Sequence, residues 1–182
     1  MTGWGAGRLE SALPEGVVVR TLDVHADARG ALAEIYRHEW GLGDAAVQWN
    51  LVRTAARTLR GVHVHPRHAD YLTVASGVLR LGLHDVRPGS ATRGMSAMVE
   101  LGGDQPRLAY VPPGVAHGFY FPAVATYVYG LSRGWSMAEE IGCRWDAPEL
   151  GLEFGAADPL LSPRDAAAGG YDAMVASFAA AS

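Results

Sequence analysis

Turn residues punctuate this chain so densely that long regular helices have little room over most of its length. Its 23 glycines and 10 prolines are spread along the sequence instead of gathering in one linker. Between them lie short, apolar-rich runs, the pattern of strands joined by turns. "GVVVRTL", "AVQWNLVRTAA" and "GVHVHP" each read as a strand, with "HADARG" as a turn and "ALAEIYR" as a strand in preference to a short helix, given the turn before it. "DYLTVASGVLRLGLHDV" alternates from Val78 to Leu83 and resembles a hairpin turning at Ser76–Gly77. "RLAYVPPGVAHGFYFP" gives a strand, a proline–glycine turn and a second strand, and "ATYVYGLSR" one more. So many short strands at near-regular spacing predict an antiparallel sandwich or barrel. The tail, residues 163–182, is rich in alanine and predicts short helices. Residues 1–14 read as a loosely held arm. The whole chain, 1–182, is expected to be a single domain, long enough to bury a real core.

Composition then limits function. The formal net charge is -4, which argues against an extended basic face for nucleic acid. All fifteen basic residues are arginine, so any cationic role falls to arginine or histidine. The one cysteine, Cys143, cannot form an internal disulfide, which predicts a reducing, cytoplasmic setting. No apolar run reaches membrane-spanning length, and no basic-then-apolar leader opens the chain, so no membrane partner is expected.

Chemistry concentrates in "RGVHVHPRHADYLTVASG", residues 60–77, which holds three of the seven histidines. His63 and His65 occupy alternate strand positions and so share a face. Asp70 follows five residues later, and "PPGVAH" places His117 after a tight turn. This pattern is similar to the two short motifs of the cupin superfamily, whose metal-bearing members converge such side chains in the mouth of a jelly-roll barrel. The resemblance makes His63, His65, Asp70 and His117 an alternative ligand set for one divalent transition metal.

A second resemblance covers residues 17–168. "DARGALAE", "LRGVH", "DVRPGSATRG", "VPPGVAHGF", "YVYG", "RWDAPELGL" and "PLLSPRDAAA" occur in the order and near the spacing of the dTDP-4-dehydrorhamnose 3,5-epimerase family. That family is itself a jelly-roll cupin, and the resemblance implies an all-β double-stranded β-helix with short C-terminal helices. It implies an isomerase acting on a dTDP-linked 4-keto-6-deoxy sugar, with no cofactor and as a homodimer formed by sheet extension. Epimerisation beside a ketone needs a base, an acid on the opposite face and a group to stabilise the enolate oxygen. The resemblance assigns the base to His63, its orienting carboxylate to Asp165 and the acid to Tyr129. It places Arg29, Glu34, Gln48, Asn50, Arg60 and His117 around the sugar and diphosphate.

Departures from the family pattern fall in the sugar pocket. Asp70 stands where the family has a lysine near the forming enolate, and a carboxylate opposes that charge. Ala31 and Leu32 replace paired aromatics, and Leu81 replaces an acidic residue. Single and double epimerisation both remain open. So do a metal-dependent cupin enzyme, a sugar 3,4-ketoisomerase and a non-catalytic sugar-nucleotide-binding homologue. The ketoisomerase reading is opposed by the C-terminal "RWDAPELGL" and "LLSPRD". The His63–Asp165 pairing favours a metal-free pocket, because a metal would compete for the same imidazole.

Overall fold

A computed structural model describes residues 12–102 and 105–182. Expectations for residues 1–11 therefore lie outside the described residues. The chain forms β1 (Val18–Thr21), β2 (Val24–Asp27), β3 (Gly30–Ala33), β4 (Gln48–Thr54), β5 (Thr58–Val64) and β6 (Asp70–Ser76). It continues with β7 (Val78–Asp85), β8 (Ser96–Gly102), β9 (Arg107–Val111), β10 (Val115–Phe121), β11 (Ala125–Leu131) and β12 (Ile141–Gly142). Two short helices close it, α1 (Pro163–Ala166) and α2 (Tyr171–Ala181), in the tail where alanine predicted them.

The strands build two facing five-stranded sheets, ordered β1-β9-β6-β11-β4 and β12-β5-β10-β7-β8. From β4 onward the chain passes repeatedly from one sheet to the other, as in a jelly roll. Among the described residues every pairing between these strands is antiparallel. Between the sheets lie Leu72, Leu79, Leu81, Leu83, Val99, Leu101, Val111 and Phe121, each at most 1% exposed. Burying each such side chain contributes about 1.5–3 kcal/mol before entropy is counted.

Two sequence expectations need correction. The turn at Ser76–Gly77 is not a hairpin, because β6 and β7 belong to different sheets. Alternation shows which residues face the core, but both sheets face the same core, so it cannot name the sheet. Gly77 makes the crossing at φ +87°, where an added Cβ would sit 2.8 Å from the Val124 carbonyl oxygen. Second, the strand boundary between "HADARG" and "ALAEIYR" differs from the expectation. His25–Asp27 pair with Gly30–Leu32 in a two-stranded hairpin, and the chain leaves strand at Glu34.

The outer face of the second sheet is covered by the C-terminal segment. Gly82 and Gly118 are cross-strand partners, and both lie beneath the Phe154 ring. A Cβ on either would come within 3 Å of that ring, so the glycines give it a flat seat. Next to it, His84 bonds Ser96 Oγ at 2.8 Å and Tyr171 Oη at 2.9 Å, tying α2 to the sheet. No helix among the described residues is long and apolar enough to cross a membrane.

Candidate active site

A pocket of about 570 Å³ opens between the two sheets. Its floor and walls come from alternate positions on two strands: His117 and Phe119 on β10, and Tyr127, Tyr129 and Leu131 on β11. β5 adds Arg60 and His63. These lie three residues apart, a spacing that would put them on opposite faces of a regular strand. The β5–β10 register shifts between them: His63 pairs with His117, whereas Arg60 pairs with Phe119. This bulge turns both side chains into the pocket. Gly61 permits it, with φ +100° and a notional Cβ only 2.8 Å from the His117 carbonyl oxygen.

His63 Nε2 lies 2.7 Å from Asp165 Oδ1. Asp165 is buried, and its position is fixed at the start of α1. Ser162 Oγ caps that helix by accepting from the Asp165 amide at 3.1 Å. The same hydroxyl donates to Asp165 Oδ2 at 2.8 Å. Burial alone would raise the Asp165 pKa, but the hydrogen bonds from His63 and Ser162 outweigh it and hold the carboxyl below its ordinary value. With Nε2–H given to the carboxylate, Nδ1 is the ring nitrogen free to take a proton. Arg164 Nη2 stands 3.0 Å from the same Nε2, while its Nη1 donates to Glu140 at 2.7 Å.

Tyr129 faces this dyad from the other sheet. Burial pushes its phenol pKa up, which keeps it protonated and able to donate. Tyr127 beside it is pushed up to about 12, mainly by burial.

Below the dyad, His65, Asp70 and His117 form a second cluster, all buried. Burial lowers both histidine pKa values, His117 to about 4, and raises that of Asp70. His63 is not among these three, so the four-residue ligand set of the cupin pattern does not assemble as a unit. His68, for which the sequence implies no role, stacks on His65 with ring centres 4.0 Å apart.

The remaining site expectations divide. Arg60 and His117 line the pocket. Gln48 and Asn50 do not line it but border it on β4, where Asn50 pairs with Tyr129 and Gln48 with Leu131. Gln48 also accepts from the Trp135 amide at 2.9 Å. Arg29 and Glu34 are not brought to the pocket of the single chain. Arg29 sits in the β2–β3 hairpin, 91% exposed and paired with Asp27, because that hairpin forms a sheet of its own. Glu34 is half-exposed and paired with Arg37. Alternation from His117 and Tyr129 would have found Phe119 and Tyr127 as lining residues. Trp135, Met137 and Glu140 come from the connection between β11 and β12, whose one regular piece is a 3-10 turn at Met137–Glu139, and carry no pattern to read.

The model of the family described as dTDP-4-dehydrorhamnose 3,5-epimerase matches residues 11–172. The chain belongs to this family. The match runs through the C-terminal segment that carries Asp165. Among relatives, the dTDP-4-dehydrorhamnose 3-epimerase of Streptomyces niveus is 33% identical over 160 residues, covering 83% of this chain and 77% of that one. The spore coat polysaccharide biosynthesis protein SpsL of Bacillus subtilis is 28% identical over 144 residues, covering 77% and 95%. The solved epimerase structure from Mycobacterium tuberculosis superposes with a TM-score of 0.83 at 31% identity, covering 90% of this chain and 88% of that one. In this dTDP-4-dehydrorhamnose 3,5-epimerase family member the jelly roll is thus shared over most of its length.

Proposed function

We propose that the protein epimerises a dTDP-linked 4-keto-6-deoxy sugar at a carbon beside its ketone. The observation that carries this reading is the placement of a His63–Asp165 dyad on one wall and Tyr129 on the facing sheet. His63 takes the proton from the carbon next to the carbonyl, and the C–H electron pair moves to the ketone oxygen as an enolate. Asp165 stabilises the resulting imidazolium. Tyr129 then donates its proton to the opposite face of the same carbon, and the ketone re-forms with inverted configuration. Exchange with solvent returns His63 and Tyr129 to their starting states. A base and an acid on opposite walls support inversion, since a single group would return the proton to the face it left.

The guanidiniums of Arg60 and Arg164 line the pocket; Arg164 is held by Glu140, so Arg60 suits the diphosphate better, a planar guanidinium meeting phosphate oxygens in a fork. Arg29 and Glu34 reach a pocket in this reading only from a second copy of the chain. A lone two-stranded hairpin is marginal in water, and β2 and β3 expose Val24 and Leu32. Docking on a second copy would cover both and make the protein a homodimer.

Incubation with a dTDP-4-keto-6-deoxy sugar in deuterium oxide tests the activity. Deuterium should enter at C3, C5 or both, as read by mass spectrometry and NMR, and the labelled carbons give the number of epimerised centres. Tight dTDP binding without label would instead establish a non-catalytic sugar-nucleotide-binding protein.

A further inference from the structure

Asp70 is the first residue of β6, His65 lies just past the end of β5, and His117 is on β10. One ligand atom from each lies within 4.8 Å of the others. Asp70 Oδ2 stands 3.7 Å from His65 Nε2 and 3.6 Å from His117 Nε2. These separations are too long for hydrogen bonds. They match two ligands of one ion, since bonds of about 2.0–2.2 Å in tetrahedral array put ligand atoms roughly 3.4 Å apart. Asp70 Oδ2 is buried with no hydrogen-bond partner. Native interiors rarely leave such an atom unsatisfied, and a bound cation would satisfy it.

The tautomer of His117 agrees. Its Nδ1 lies 3.0 Å from the Val115 carbonyl oxygen, which can only accept. Nδ1 therefore carries the hydrogen, and Nε2 turns its lone pair toward Asp70. A backbone carbonyl behind the ring is the usual support of a metal-ligating histidine.

We propose that His65, Asp70 and His117 hold one divalent transition-metal ion in the floor of the pocket, leaving His63 to Asp165. This departs both from the metal-free expectation and from the four-ligand set that includes His63. Two imidazoles and one carboxylate suit iron, manganese, cobalt, nickel or zinc better than magnesium or calcium. Three protein ligands also leave coordination positions free. A bound ion would supply positive charge beside a developing enolate oxygen. That use rests on the epimerase reading, whereas metal binding itself does not. It would meet a need this chain cannot meet with lysine, having none.

The test uses full-length protein without a histidine tag, dialysed against chelator and titrated with Co(II). Visible ligand-field absorption should saturate at about one equivalent per chain, and Zn(II) should displace it. Zn(II) at a hundredfold excess over its Kd should raise the melting temperature by about 5–10 °C. Asp70→Asn should weaken Co(II) binding at least about tenfold, and His63→Asn should leave it unchanged. Far-UV circular dichroism and dTDP binding check the fold. Should Asp70→Asn misfold, His65→Gln and His117→Gln carry the same expectation. The proposal is overturned by the absence of a saturable Co(II) signal, by an unaffected Asp70→Asn, or by equal loss in His63→Asn. Deuterium incorporation is measured on the same chelated and Zn(II)-loaded samples. Its failure in both would overturn the epimerase reading and leave the Co(II) result standing by itself.

Discussion

His63 can act as a base only if its ring keeps one orientation, and that orientation depends on Asp165. If this pairing drives proton abstraction, His63→Asn should lower turnover by at least about a hundredfold. Calorimetric affinity for dTDP should stay within error, because the nucleotide is expected at the arginines. Near-normal turnover in the variant would end the assignment. Asp165 adds a pH signature of its own. Its folded pKa lies below the ordinary aspartate value, so it stabilises the fold above that value. The contribution is lost as pH falls through the folded pKa. Asp165→Asn should therefore cost about 1–3 kcal/mol near neutral pH. In urea melts the gap to the parent protein should close below about pH 4, and a constant gap from pH 7 to pH 3 would contradict the argument. The dyad was legible in the sequence because seven ordered fragments carried both of its members. Arg164, whose guanidinium lies 3.0 Å from the same imidazole nitrogen, was not, since an arginine beside an aspartate has no pattern of its own.

Among the elements, β5 decides most. Its alternation predicted a strand through His65; the strand ends at Val64, yet His63 and His65 both line the pocket as expected, whereas a regular strand would have turned Arg60 away. The bulge at Gly61 corrects this, and no periodicity announces a bulge. Gly61→Ala would place a methyl group against the His117 carbonyl at a backbone angle that alanine resists. The expected cost is about 1–3 kcal/mol in stability. Turnover should fall further than stability alone predicts, because Arg60 and His63 swing apart, and a variant with parental kcat would show that the bulge is not needed. β8 had no counterpart in the sequence reading. In its "SAMVELG" only Val99 and Leu101 are fully buried, beside Met98 and Glu100, too short an apolar alternation to stand out as a strand.

In the molecule as a whole, the antiparallel all-β form was legible from the many short strands, but neither their number nor their assignment to layers was. The β2–β3 hairpin shows a related limit: the family resemblance implied a binding role for Arg29 and Glu34 but not which copy of the chain they would act on. If the hairpin docks on a second copy, sedimentation should give a dimer. Leu32→Asp, placing a charge on a side chain that is 62% exposed in the single chain, should shift it to monomer. The same change should weaken dTDP binding together with Arg29→Ala, and a monomeric parent protein with unchanged dTDP affinity would remove both residues from the site.

His63 and Asp165 are 102 residues apart along the chain, on β5 and on the helix that follows β12. Such distant contacts form late, after loop closure has been overcome. The enzyme should therefore gain its circular dichroism before it gains its chemistry. During refolding from denaturant, proton exchange into substrate should return only with the final kinetic phase, so turnover works as a clock for the docking of the C-terminal segment. A chain released from synthesis before residue 165 would carry a closed barrel and a histidine with nothing behind it.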